Sequence, residues 1–264
     1  NTTKCDSLRP LAFLEVAAGT GSLSADVLRK ASAAQIPISS VTVTDFSSGM
    51  VDKAREDISL MAEYDEDVVK FLVMDAQQLD FQDDTFTHVG CMFSINFFSV
   101  RPKGLSETLR VLQPGGLATI GVWHKSDLTA LLTEYAEFLH LVSEEELTAI
   151  MAPMLKMASI CSNPTEFRDE LIQAGFDSIE MQTVENVFLL PNDKQLFMVL
   201  ATNPVLSKPI GGSDAVNLYD RWQKFLQSTL GQKWVTRSES GSESIKLTYA
   251  ANIASAKKLK QSCE

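Results

Sequence analysis

Apolar residues in the first half of the chain gather into five short runs, at 11–17 (LAFLEVA), 40–46 (SVTVTDF), 69–75 (VKFLVMD), 87–95 (THVGCMFSI) and 117–123 (LATIGVW). Each reads as a strand. Helical patterns lie between them, near 22–34, 48–62 and 103–113. Near-continuous apolar strands separated by helices predict a parallel sheet covered on both faces. Right-handed crossovers turn such a sheet into a doubly wound α/β fold. Ligands in that fold sit beyond the C-terminal ends of the strands, so chemistry is expected there.

Beyond Trp123 the pattern changes. A helix is expected near 127–140. Ser143-Glu144-Glu145-Glu146 has the form of a capping box opening another, which Pro153 interrupts. Asn163-Pro164-Thr165-Glu166 begins a third, with Asn as cap, Pro at the first helical position and Gly175 near the stop. Val216, Tyr219, Trp222, Phe225, Leu226 and Leu230 recur at helical spacing, closed by Gly231. Residues 236–244 (TRSESGSES) read as a flexible loop. A final strand pair is expected at 177–190 and 245–255. In the last strand Ile245, Leu247, Tyr249, Ala251 and Ile253 alternate with polar or small residues, as in an antiparallel strand with one drier face. No repeat or linker divides the chain, so 1–264 is expected to be one domain. Residues 11–123 form its core, and 126–176 and 191–243 are helical insertions that make a cap.

Composition narrows the partners. Hydrophobic residues make up 45 % of the 264 residues, which is a globular composition. The formal net charge of −11 argues against a nucleic-acid surface. Cys5, Cys91, Cys161 and Cys263 are far apart and form no CxxC or Cys/His pair, so neither a zinc site nor a disulfide framework is signalled. That usage fits a reducing compartment, and a cytoplasmic location is expected. No apolar run reaches membrane-spanning length. The chain opens at Asn1 without Met, so a preceding segment is expected and a targeting signal cannot be judged. Oligomeric state is not legible.

The first strand runs into a glycine turn, Gly19-Thr20-Gly21, followed by a helix. A dinucleotide site wants G-x-G-x-x-G at such a turn, but Ser24 stands at the third glycine position. The Tyr-x-x-x-Lys pair of short-chain reductases is also absent: Val68, Leu139, Gln223 and Ile253 stand four residues after the four tyrosines. Three strand ends carry acids instead, Glu15, Asp45 and Asp75. An acidic lip repels a pyrophosphate. It suits a ligand with hydroxyls, amines and a positive centre, because ionised carboxylates only accept hydrogen bonds.

These residues carry a family resemblance. Glu15-Val16-Ala17-Ala18-Gly19-Thr20-Gly21 resembles the glycine motif of class I S-adenosylmethionine-dependent methyltransferases, with Ala17 where glycine is commoner. Asp45-Phe46-Ser47-Ser48-Gly49-Met50, followed by Ala54, resembles the second-strand motif. Met74-Asp75-Ala76-Gln77-Gln78-Leu79 resembles the adenine-contacting turn, and residues 107–116 resemble the segment leading into the fifth strand. The match covers about 11–123, and the nearest flavour is the small-molecule branch that includes quinone-ring and fungal metabolite methyltransferases. The resemblance implies a mostly parallel seven-stranded Rossmann-like sheet with a helical cap. It also implies S-adenosylmethionine as cofactor, with S-adenosylhomocysteine as product.

The roles it implies are these. Ala17, Gly19, Thr20 and Gly21 let the backbone approach the ligand closely. Asp45 accepts both ribose hydroxyls, and Phe46 and Met50 pack on the adenine. Asp75 accepts from the adenine amine, with Ala76 and Gln77 beside it. Backbone at Met92 and Phe93 holds the methionyl ammonium. Asp45 read as a helix-cap carboxylate, and Phe46 and Met50 read as plain core, are the competing structural readings.

Methyl transfer from a sulfonium is an in-line displacement that positioning alone can drive. Metal-assisted catechol chemistry wants acids after the fourth strand, and base-amine chemistry an Asn/Asp-Pro-Pro-aromatic run. The segment there, Cys91 to Phe98, has no carboxylate and no proline. A metal-independent reaction on a small, fairly apolar acceptor is expected, with Asn96, Phe97 and Trp123 as acceptor-side residues. His124, placed after the fifth strand, is the candidate base. Met151, Met154 and Met157 form a stripe that reads as core or as an adaptable pocket wall. Two other classes compete: a non-catalytic S-adenosylmethionine-binding regulator, and an NAD(P)-dependent oxidoreductase, which the missing glycine and Tyr/Lys pair disfavour.

Overall fold

Strand β1 (Leu11–Glu15) sits inside the sheet, parallel to β2 (Ile38–Asp45) on one side and β4 (Phe86–Met92) on the other. β2 pairs in parallel with β3 (Val69–Val73), and β4 with β5 (Leu112–Ser126). Beyond β5 lie β8 (Glu243–Lys257) and then β6 (Asp177–Pro191), so the path is β3-β2-β1-β4-β5-β8-β6. The chain moves outward from β1 to β3, then crosses back to β4 on the other flank. The C-terminal ends of β1 and β4 therefore flank a topological switch point, where a crevice opens.

The computed structural model describes residues 9–138, 163–192, 197, 215–239 and 241–260. Within them the helices are α1 (Ser22–Ala33), α2 (Ser48–Ser59), α3 (Arg101–Val111), α4 (Asp127–Phe138), α5 (Pro164–Gln173) and α6 (Ala215–Gln227). Asn163 caps α5 as its spacing predicts, accepting from the Thr165 amide at 3.0 Å. The expected capping box at Ser143–Glu146, the break at Pro153, the stripe Met151, Met154 and Met157, and Cys5, Cys161 and Cys263 lie outside the described residues. Among the described residues no helix is long and apolar enough to cross a membrane.

The expected sheet of seven strands is the path above, but an eighth strand is present. β7 (Val235–Arg237) pairs antiparallel with β8, Val235 opposite Ile245 and Arg237 opposite Glu243. The expected loop at 236–244 is thus a hairpin. Its serines make the turn rather than loosen it: the Ser242 amide donates to Ser238 Oγ at 3.1 Å, and Gly241 takes φ 84°.

Strand limits also shift. β1 ends at Glu15 and β4 at Met92, earlier than their apolar runs suggest. β5 continues past Trp123 to Ser126, with the Trp123 ring 5.5 Å from that of Tyr249.

The chain forms two compact units. The first comprises Asn1–Val122, Asn163–Gln182 and Asn252–Glu264, and so includes α5, which the sequence assigned to an insertion. Phe13, Leu28, Val41, Val43, Ala54, Ile58 and Val69 are the buried apolar cluster of its α1–α2 side. The second unit comprises Trp123–Ser162 and Thr183–Ala251. Its core is aromatic: Tyr135 meets Trp222 edge-on at 5.0 Å, with Phe197, Phe225 and Trp234 in the same cluster.

Candidate functional site

The turn after β1 is built from left-handed backbone. Ala17, Gly19 and Gly21 take φ 51°, 55° and 74°. Two cross-strand bonds hold it: the Val16 amide donates to the Gly90 carbonyl at 2.8 Å and the Ala18 amide to Thr44 at 2.9 Å. The two glycines of the motif serve different ends. A Cβ at Gly21 would lie 2.9 Å from Ile58 Cδ1 and 3.2 Å from Ala54 Cβ, so glycine there lets the turn pack on α2. A Cβ at Gly19 would meet nothing within 4 Å, because Gly19 faces open space. Ala17 is a non-glycine residue held at positive φ, a strain that clusters at ligand sites.

Glu15 does not join the acidic lip. It is 3 % exposed, and its Oε2 accepts from the Ser24 amide at 2.8 Å and from Ser24 Oγ at 2.5 Å. Gly21 precedes α1 with no side-chain cap of its own, so Glu15 supplies the acceptor that the first turn needs. Burial raises the Glu15 carboxyl above the usual carboxylate range, against the lowering effect of the Ser24 bonds.

The lip consists of Asp45 and Asp75, at the end of β2 and just after β3. Both border one cleft of about 680 Å³, within the size range of small-molecule sites. Asp45 Oδ2 accepts from the Gly19 amide at 2.8 Å and Oδ1 from the Ser47 amide at 2.9 Å. One acidic side chain thereby joins the glycine turn to the start of α2. A carboxylate has about four acceptor positions, so each oxygen keeps capacity for a ligand hydroxyl. The cap reading and the ligand reading of Asp45 are therefore compatible. Asp75 Oδ1 accepts from the Gln77 amide at 2.8 Å.

Phe46, Met50 and Phe97 also border the cleft. They are exposed by 78 %, 46 % and 69 %, so they are not core residues. Exposed apolar side chains grouped beside two fixed carboxylates suit a ligand with one flat apolar part and one hydroxylated part.

Ala17, Gly19, Asp45, Phe46, Met50, Asp75, Ala76, Gln77 and Phe97 thus meet at one cleft. Thr20 instead borders a separate hollow with Ser22, Asp26 and Arg29. Met92, Phe93 and Asn96 stand outside the lining. Phe93 takes φ 60° and donates its amide to the Gly121 carbonyl at 2.7 Å. Ser94, Phe98 and Ser99 do line the cleft, and sequence reasoning did not single them out. Ser94 Oγ donates to the Ala17 carbonyl at 2.8 Å, tying the end of β4 to the glycine turn. The signal was available: a hydroxyl two residues past a switch-point strand.

Trp123 and His124 belong to the second unit. Both are half-buried inside β5 rather than beyond its end. Trp123 packs on Tyr249, whose ring also meets Phe188 at 5.3 Å. Among the described residues no group of three or more His, Cys, Asp or Glu side chains could hold a metal.

The chain resembles known proteins in sequence and in fold. The chain is 31 % identical over 185 residues to methyltransferase tpcH of Aspergillus fumigatus, covering 69 % of this chain and 63 % of that protein. It is 32 % identical over 165 residues to a demethylmenaquinone methyltransferase of Clavibacter sepedonicus, covering 62 % and 59 %. The chain therefore spans about three fifths of the length of these relatives. A Bacillus halodurans protein assigned as a methyltransferase has the same fold, with a TM-score of 0.57 at 18 % identity over 96 % of this chain and 95 % of that one. Residues 1–184 match the model of the ubiE/COQ5 methyltransferase family, and the chain belongs to that family.

Proposed function

We propose that this protein transfers a methyl group from S-adenosylmethionine to a small, fairly apolar acceptor without a metal ion. The observation that carries the reading is the pairing of two fixed carboxylates, Asp45 and Asp75, with exposed Phe46, Met50 and Phe97 on one cleft below an open glycine turn. The cofactor supplies a methyl on a sulfonium, already activated for in-line displacement. The chain's task is orientation. Asp45, immobilised by two backbone amides, accepts the ribose hydroxyls. Asp75 accepts the adenine amine, while Phe46 and Met50 cover the ring. Phe97 presents an apolar face to the acceptor. Ser24 stands where a dinucleotide fingerprint has its third glycine, which disfavours a nicotinamide dinucleotide.

A base is needed only where the acceptor atom carries a proton. His124, half-buried within β5, is the candidate for that role.

Calorimetry tests the cofactor and a labelled-methyl assay tests the reaction. Purified protein should bind S-adenosylhomocysteine and not NADH. It should then label ring acceptors of the kind named for the Clavibacter relative in preference to hydrophilic amines. Binding of NADH without S-adenosylhomocysteine would overturn the reading. Binding without labelling of any acceptor would leave a cofactor-binding protein. A His124→Ala variant with unchanged kcat across about pH 6 to 9 removes the base assignment alone.

A further inference from the structure

Gln77 makes more bonds than a cofactor-lining side chain requires. Its Nε2 donates to Asp75 Oδ1 at 3.3 Å, beside the 2.8 Å bond from its own amide to the same oxygen. Its Oε1 accepts from Ser99 Oγ at 3.0 Å and from the Val100 amide at 2.7 Å. One half-buried amide thus joins the Asp75 turn to a segment that follows a different strand. That segment, 93–100, starts at left-handed Phe93 and is tied at Ser94 to the glycine turn. It is pinned in its middle by buried Ile95 and carries Phe97, Phe98 and Ser99 into the cleft. Phe98 fits closely against α3, where a Cβ at Gly104 would lie 2.4 Å from its ring. Both ends of the segment are therefore attached to cofactor-facing turns, the later end through Gln77.

We infer that Gln77 is a positioning residue that couples cofactor binding at Asp75 to order in the acceptor-side segment 93–100. The inference rests on the proposed cofactor reading and deepens it. A ligand that engages Asp75 steadies the carboxylate that Gln77 holds, and Gln77 steadies Ser99 and Val100. By linkage, an ordered segment raises cofactor affinity by the same factor. Phe97 is then held more firmly in place for an acceptor when the cofactor is bound.

Hydrogen exchange of 93–100 with and without S-adenosylhomocysteine, together with calorimetry, tests this. In the wild type the ligand should slow exchange in this segment about tenfold, a coupling within the ordinary range. Gln77→Leu removes every side-chain bond. Its segment should exchange faster, the ligand should no longer slow it, and affinity should fall about tenfold. Gln77→Glu keeps the acceptors for Ser99 and Val100 but sets a second carboxylate beside Asp75. It should retain the protection of the unliganded segment while losing affinity, a split that a merely structural residue would not produce. Ser99→Ala, at an exposed position, should shift exchange and affinity in the same direction as Gln77→Leu and serves should that variant not fold. Ligand-dependent slowing that survives undiminished in Gln77→Leu, or in Ser99→Ala in its place, overturns the coupling alone. A wild type that does not bind S-adenosylhomocysteine removes the underlying reading and this inference with it.

Discussion

Replacing each glycine of the turn by alanine separates two roles that the motif superimposes. At Gly21 the backbone has φ 74°, and the new Cβ would stand 2.9 Å from Ile58 Cδ1, 3.2 Å from Ala54 Cβ and 3.6 Å from Val43 Cγ1. The left-handed conformation costs an L-residue about 1–2 kcal/mol. Ile58 Cδ1 can swing aside, but Ala54 Cβ is fixed to a helix, so overpacking adds about 1–2 kcal/mol. Gly21→Ala should therefore lower the unfolding free energy by about 2–4 kcal/mol, with any binding loss following from the shifted turn. At Gly19 the conformational cost is similar, about 1–2 kcal/mol. No neighbour opposes the methyl, which lies in the open space where the ligand backbone contact is expected. Gly19→Ala should lose only that conformational cost in stability. It should nevertheless weaken S-adenosylhomocysteine binding more than tenfold, the equivalent of about 1.4 kcal/mol. Urea unfolding and calorimetry on the two variants measure both quantities. A Gly19→Ala variant that binds like the wild type, or that is destabilised as much as Gly21→Ala, would show that the two glycines do not have separate roles.

Three further outcomes are expected. Asp45→Ala should weaken S-adenosylhomocysteine binding by about 10- to 100-fold through lost charge-assisted bonds, leaving a normal circular dichroism spectrum; unchanged binding would make Asp45 a cap and nothing more. Glu15 is held above its ordinary value of 4.5 by burial, so the native state retains a proton that the unfolded chain releases, and stability falls as pH rises from about 4.5 through the raised native value. Glu15→Gln keeps an acceptor for Ser24 and does not titrate, so its stability relative to the wild type should increase across that window; a constant difference would contradict the burial argument. Burial pushes the Cys91 thiol up to about 12, so peptide mapping after iodoacetamide at about pH 8 should find it unmodified until the protein is denatured; native labelling at a free-thiol rate would show the site to be open.

Much of the architecture was legible from local pattern. Strand and helix periods, the cap at Asn163 and the acids closing β2 and following β3 depend on neighbours a few positions away. So does the glycine turn, where Gly19 and Gly21 readily take the positive φ that it needs. What the pattern could not reveal was the direction of individual side chains. Glu15 and Asp45 look alike in sequence, each an acid closing an apolar strand. Glu15 turns inward to the Ser24 amide and is lost to the lip, while Asp45 reaches the Gly19 amide and stays at the cleft. Thr20 lies between Gly19 and Gly21 yet borders another hollow. β5 runs on through Trp123 beside Tyr249, a residue remote in the chain. Gln77 is an ordinary polar residue until Ser99 and Val100 are brought to it. Periodicity reports which face of an element is apolar, a property of the local backbone. Which donor meets which acceptor is decided only when the sheet forms and carries the ends of separate strands to hydrogen-bonding distance.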